Sequence, residues 1–293
     1  MSSDIFGQHE IYVGRDFGGF AFDITPATIE NYIAGTGDDN PWYTGNSPLG
    51  GSIAPALTLH SAVFRRHDWY LPNVFGNLHA RQEWQGFGPL RPGDQLHSRC
   101  VIVDRYIRRD REYVVNECLI LNADGRILQR SRTHQSFLLA RAEGDGFAVD
   151  RSREKSGSRV FNVGQRGGEP IETPMRKVSQ AMCMAFSGPG RNYHTDTEEA
   201  HKLGFPEIVV QGMLSVCMIG ELMTRRFGPG FIIGGRFDLR LVNVLWAEEI
   251  TGAKGRILER HPEGERTRAE VEVWCEKADG TVTIVGTASA LEL

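Results

Sequence analysis

No apolar run in this chain approaches the ~18 residues that a membrane span needs, and the opening MSSDIFGQHE lacks the basic start and apolar core of a signal peptide. The expectation is a cytoplasmic protein without membrane contact. Lysine and arginine form no long block and the net charge is only −4, so the electrostatic footprint of a nucleic-acid binder is missing. The five cysteines are odd in number, scattered and free of any C-x-x-C pair, which excludes a disulfide framework and fits buried free thiols. Neither H-E-x-x-H nor another ligand-spaced histidine cluster occurs, so no metal is expected. The glycine turns GPGR at Gly188 and FGPGF at Phe227 lack the strand and helix context of a phosphate-binding loop, so no nucleotide or redox cofactor is expected either.

What the chain does contain is a unit written twice. Phe186 to Leu214 reads FSGPGRNYHTDTEEAHKLGFPEIVVQGML, and Tyr32 to Leu59 reads YIAGTGDDNPWYTGNSPLGGSIAPALTL. Gly37 answers Gly188, Tyr43 answers His194, and Ala56 answers Gly212. His79 to Tyr106 then lines up with Gly234 to His261 without a gap. The shift, about 151 residues at the loop and about 154 beyond it, indicates a duplicated domain rather than a solenoid. With 293 residues and 40% hydrophobic content, each copy is large enough to bury its own core. The expected organisation is a first repeat over 1–140, an irregular connection rich in Gly, Ser, Arg and Glu over 141–174, and a second repeat over 175–293.

Each repeat reads as helix, loop, central helix and strands. Thr25-Pro26 starts a short helix to Ile33. Ala54–Trp69 and Gln211–Phe227 are mainly apolar, which predicts two buried central helices. β-rich runs follow at Leu96–Tyr106, Glu112–Asn122 and Ile127–Ala140, and again at Phe231–Leu241, Glu249–Glu259, Thr267–Lys277 and Val282–Leu291. Asn122-Ala-Asp-Gly125 and Lys277-Ala-Asp-Gly280 place the same hairpin signal in both copies. The predicted class is α+β, with a long helix laid across a curved antiparallel sheet in each repeat.

On the segments GDDNPWY, GGSIAPALTL and HARQEWQGFGPLRPGDQL of the first repeat, and FSG, HTD, EEA, LGF and QGML of the second, the chain resembles the MaoC-like hydratase/dehydratase superfamily in its double hotdog form. The resemblance covers nearly the whole chain. It implies addition or removal of water at a 2-enoyl or 3-hydroxyacyl thioester linked to CoA or a carrier protein. The family performs this with an aspartate and a histidine from a loop S-G-D-x-N-P-x-H, and with an oxyanion site at the start of the central helix. By that resemblance His194 is the general acid/base, and the amides of Gly212 and Met213, beside Gln211, are the oxyanion donors.

The loop departs from the family at one decisive place. It reads S-G-P-G-R-N-Y-H, with Pro189 where the aspartate belongs and Arg191 where the asparagine belongs. Asp196 is a candidate to orient the imidazole, and Arg191, Asn192 and Tyr193 are candidates to handle the proton or the substrate. Asp38, in the intact G-D-D-N-P of the first repeat, is expected to serve a separate place, because paired repeats hold their equivalent loops apart. The alternatives left open are a non-catalytic module that binds an acyl group or a partner, a thioesterase, and a dehydratase, isomerase or cyclase on a specialised natural-product intermediate. A homodimer is compatible with this architecture, but no patch in the sequence specifies it.

Overall fold

The computed structural model describes residues 11–59, 62–65, 77–109, 111–138 and 158–293. The strands are β1 (Asp16–Asp23), β2 (Leu78–Gly86), β3 (Gln95–Arg108), β4 (Arg111–Asn122), β5 (Ile127–Leu138), β6 (Glu169–Glu172), β7 (Arg176–Lys177), β8 (Arg236–Leu241), β9 (Ile250–Glu263), β10 (Arg266–Lys277) and β11 (Val282–Glu292). The helices are α1 (Pro26–Thr36), α2 (Gln180–Ser187), α3 (Thr197–Lys202), α4 (Gly212–Phe227) and α5 (Pro229–Gly234). Among the described residues no helix is long and apolar enough to cross a membrane.

All the strands join one antiparallel sheet in the order β1-β3-β4-β5-β2-β8-β11-β10-β9-β6, with β7 also on β9. That order is a palindrome about the β2–β8 pair: each repeat contributes the same succession of strands, and the two meet at a seam where Trp84 pairs with Phe237. Matching backbone bonds repeat at both sites. Ile53 N–H donates to Trp42 C=O as Val209 N–H does to Tyr193 C=O, and Ala54 to Leu90 as Val210 to Leu245. Gly93 N–H donates to Ile24 C=O as Glu248 does to Val178. Gly93 (φ 84°) and Glu248 (φ 69°) share the left-handed conformation, so the register sets Gly93 over Glu248, 155 residues apart, as the ungapped alignment of His79–Tyr106 with Gly234–His261 does.

The first short helix forms as predicted. Thr25 caps α1 and Pro26 opens it, and the Thr25 and Thr28 side chains each accept the other's backbone N–H. Gly35 lets α1 meet α2: a Cβ there would stand 2.8 Å from the Phe186 Cβ. Helix α4 is buried over most of its length and packs against β9, β10 and β11. Arg225 and Arg226 occupy its last turn, where positive charge opposes the helix dipole favourably.

Three expectations are corrected. Ala54–Trp69 was expected to be a central helix, but residues 56–59 are turns and Val63–Arg65 is one turn of 3-10 helix; His60, Ser61 and 66–69 lie outside the described residues. Thr58 N–H donates to Pro55 C=O, and its hydroxyl bonds the same oxygen, so the chain closes a turn around Pro55. Phe231–Leu241 was read as one strand, yet it begins inside α5, because Gly228 and Pro229 start a helical turn before Gly235 releases the chain into β8. Glu169–Glu172, inside the expected irregular connection, is a strand paired with β9.

Gly230 offers a test of how tightly α5 is held. A Cβ at this position would overlap the Leu291 carbonyl of β11, a backbone group that moves only with its strand. Gly230→Ala is expected to lower stability by about 2 kcal/mol or more, read as the midpoint shift in a denaturant titration; an unchanged midpoint would show that α5 is free to shift.

Candidate active site

His194 sits in the loop between α2 and α3. Ser179 caps α2, and Gly188 (φ 82°) ends it. Asn192 Oδ1 then accepts the His194 N–H at 2.8 Å, and the Thr195 hydroxyl bridges Gly190 C=O at 2.7 Å and Asn192 N–H at 3.0 Å. The loop is thus closed on itself by short polar side chains. The imidazole Nδ1 lies 2.7 Å from Val209 C=O. A carbonyl only accepts, so Nδ1 carries the hydrogen and Nε2 is left with its lone pair. Burial pushes the His194 pKa down to about 4, against a smaller upward effect from the Val209 bond. The ring is therefore neutral at pH 7 and able to take a proton.

Val209 also donates its N–H to Tyr193 C=O, so Tyr193 and His194 together hold the strand that leads into α4. The Tyr193 ring lies against the imidazole, 4.0 Å between centroids, and reaches Phe205 on its other side. Three residues after Val209 comes Gly212, the first residue of α4. The amides of Gly212 and Met213 have no acceptor among the described residues; such first-turn N–H groups are donors for developing negative charge. Gln211 occupies the cap position without a side-chain capping bond, and its Oε1 is buried and unpartnered.

Gly212 is confined by the seam. A Cβ there would overlap Leu241 of β8 and stand 3.3 Å from Nδ1 of His79 of β2. His79 therefore brings a second imidazole, from the first repeat, to the start of α4. Its Nε2 is 3.0 Å from Gln82 Oε1, which also accepts from the Thr133 hydroxyl at 3.0 Å. Burial lowers the His79 pKa to about 4. Sequence reasoning passed over His79; the available signal was that Gln82, its partner, stands where the second repeat has the apolar Phe237.

The remaining candidates are elsewhere or otherwise engaged. Asp196, expected to orient the imidazole, caps α3 by accepting from Glu198 and Glu199 N–H, and its carboxylate pairs with Arg191 at 3.0 Å. The imidazole instead takes its orientation from Val209. Arg191 is exposed and also pairs with Glu198 at 2.9 Å. The Asn192 oxygen is occupied by the loop backbone. Asp38 lies along the far half of α4, where it feels Glu221 and Arg225. Glu221 is nine residues beyond Gly212, about 14 Å along the helix. The first-repeat carboxylate therefore does not replace the aspartate missing beside His194. Trp84 of β2 is buried against Phe231 and Phe237 at the seam.

No family model matches this chain, and no curated protein matches it in sequence. Its shape has many counterparts among solved structures. A MaoC-like dehydratase superposes with a TM-score of 0.72 at 15% identity, over 96% of this chain and 98% of its own. The MaoC-like dehydratase of Phytophthora capsici gives 0.68 at 16% identity, over 96% of each chain. A Mycobacterium tuberculosis protein described as having a double hotdog fold gives 0.66 at 11% identity, over 99% of each chain. The fold is the double hotdog of the MaoC-like dehydratases, as the sequence resemblance implied.

Asp38 supplies a prediction about pH. The Tyr43 hydroxyl donates to its Oδ2 at 2.6 Å, while Oδ1 is buried without a partner. Burial, with the nearby Glu221 charge, raises the Asp38 pKa from 3.8 to about 6. A raised carboxyl pKa favours the protonated folded form, so its contribution is complete below about pH 3.8 and is lost as the pH rises through 6. Asp38→Asn should therefore gain on the native protein by on the order of 2 kcal/mol between pH 4 and pH 8. Thermal melts of both proteins at the two pH values check this; a pH-independent difference would mean that Asp38 ionises without penalty.

Proposed function

We propose that this protein adds water to, or removes it from, a 2-enoyl/3-hydroxyacyl thioester carried by CoA or a carrier protein, with His194 as the general acid/base. The observation that supports this most directly is a neutral imidazole with a bare Nε2 beside a helix start whose first amides are unengaged, on the fold shared with MaoC-like dehydratases. In the hydration direction, His194 Nε2 takes one proton from water as the oxygen bonds to the β carbon. The double-bond electrons move onto the thioester oxygen, where the Gly212 and Met213 amides hold the charge. The imidazolium then returns its proton to the α carbon, which restores the carbonyl and leaves the enzyme unchanged.

The absent aspartate shapes this reading. Pro189 cannot accept a proton, and Asp196 and Asp38 are committed to other partners, so His194 both removes and returns the proton. A thioesterase would need a carboxylate to aim water at the carbonyl, and neither loop acid is placed for it. The non-catalytic binding reading keeps one observation in its favour. The cavity under the start of α4, lined by Leu57, Gln82, Trp84 and Met213 among others, holds only about 20 Å³, so an acyl chain enters only as these side chains move.

The test is a mass-spectrometric assay for gain or loss of water on a panel of 2-enoyl- and 3-hydroxyacyl-CoA thioesters, using the native protein and His194→Ala. Loss of proton transfer should reduce turnover by roughly 10²–10⁴-fold. Because His194 must be neutral to accept the proton and its pKa is about 4, kcat/KM should stay level from pH 8 to pH 6 and fall only as the pH approaches 4. Turnover that survives in the mutant, or no turnover on any member, would reject the proposal.

A further inference from the structure

The duplication supplies an internal comparison for every position of the sheet. Residues 155 apart are equivalent, as the shared turns at Gly93 and Glu248 and at Gly125 and Gly280 show. In the second repeat the face of the sheet under α4 is apolar: Ala253, Val271, Ala288 and Ala290 are all buried in the main core, as is Phe237 of β8 at the seam. The equivalent positions of the first repeat are Ser98, Asn116, Thr133, Gln135 and Gln82, and all five are buried. Every one has been made polar where its twin is apolar.

These residues form a connected row rather than a scatter. Ladder pairing sets Asn116 opposite Thr133, Thr133 opposite Gln82, and Gln135 opposite His79. The bonds Thr133 to Gln82 and Gln82 to His79 show that these side chains share one face, and His79 meets Gly212 at the start of α4. At the far end, Asn116 is fully buried, and neither its Oδ1 nor its Nδ2 has a partner. The Gln135 Oε1 and Ser98 hydroxyl are likewise buried and unpartnered. Buried amides are almost always hydrogen-bonded, because an unmade bond forfeits the whole hydration of the group. A polar row that ends in unsatisfied atoms is complementary to a ligand that supplies the missing donors and acceptors. Among the described residues, the turns at 56–59 and the single turn Val63–Arg65 lie over this face.

We infer that the inner face of the first repeat binds the acyl part of the substrate, and that this acyl group carries a carbonyl or hydroxyl oxygen near its far end. The inference rests on the proposed thioester reading for its anchor point at Gly212. Asn116 is two strand spacings from Gln82, about 10 Å. Allowing one hydrogen-bond length, that places the oxygen roughly six carbon–carbon bonds beyond the thioester carbonyl. The Asn116 amide both donates and accepts, so it suits a ketone or a hydroxyl. A plain alkyl chain would leave the amide unsatisfied, and specificity against it follows from that penalty rather than from fit.

The experiment uses the full-length protein and two pairs of probes. Octanoyl-CoA and 7-oxo-octanoyl-CoA report binding by calorimetry, and their trans-2-enoyl forms report hydration. The native protein should bind the 7-oxo ester at least tenfold more tightly. Asn116→Leu should reduce that preference to within twofold, chiefly by weakening binding of the 7-oxo ester, and should raise the melting temperature of the free protein because the unsatisfied amide is gone. The milder Thr133→Val, which removes the hydroxyl that fixes Gln82, should weaken the preference in the same direction. Equal binding of the two native pairs overturns the inference, as does a fall in both affinities and in melting temperature for Asn116→Leu. A 7-oxo preference without hydration of either enoyl ester leaves the polar-chain inference standing and removes the hydratase reading. Hydration without preference does the reverse, and failure of every ester to bind overturns both.

Discussion

Antiparallel pairing of β2 with β8 is the contact on which the arrangement depends. It joins two half-sheets into one, and it brings His79 and Leu241 under the start of α4. The Arg81 guanidinium of β2 reaches the Asp238 carboxylate of β8 with two bonds of 2.6 and 2.5 Å, and Trp84 stacks on Phe237 on the opposite face. A slip of one residue at this seam would exchange the two faces, turning Trp84 to solvent and carrying His79 away from Gly212. The geometry of the candidate site is therefore a property of the joined repeats and not of either alone.

Within that symmetric frame the repeats have diverged in complementary ways. The second carries α4, His194 and the apolar sheet face, with Pro189 at the place where the first has Asp38. The first keeps the aspartate, with tyrosine in place of histidine. The Tyr43 hydroxyl now donates to Asp38 Oδ2 beside Glu221, which is itself held by Arg176 and Arg225. The Asp38–Tyr43 loop is a buried brace beside α4, while the sheet face beneath the turns at 56–59 carries buried polar side chains.

Much of the architecture was legible from composition alone. The run from Gly212 to Phe227 is long, apolar and bounded by glycine, so α4 could be read within a residue of its end. The Asp-Gly turns marked the β4–β5 and β10–β11 hairpins. Two segments misled for physical reasons. Ala54–Leu59 has the hydrophobicity of a buried helix, but the Thr58 bonds back to Pro55 close it into a turn. β2 was not read as a strand because HARQEWQ is largely polar on both faces: one carries Arg81 to Asp238 and Glu83 to His134, the other carries His79 and Gln82 toward α4.

The sequence by itself determined the duplication, the α+β class, the helix that begins at Gly212 and the loop that carries His194, since each element is encoded in residues close together in the chain. Only the tertiary structure decided which groups meet there. It brings His79 of β2 to Gly212 of α4 and sets Asp38 beside Glu221 and Arg225 in the far half of that helix. Those outcomes depend on pairing between strands some 155 residues apart, and local periodicity carries no information about which distant element will lie across from it.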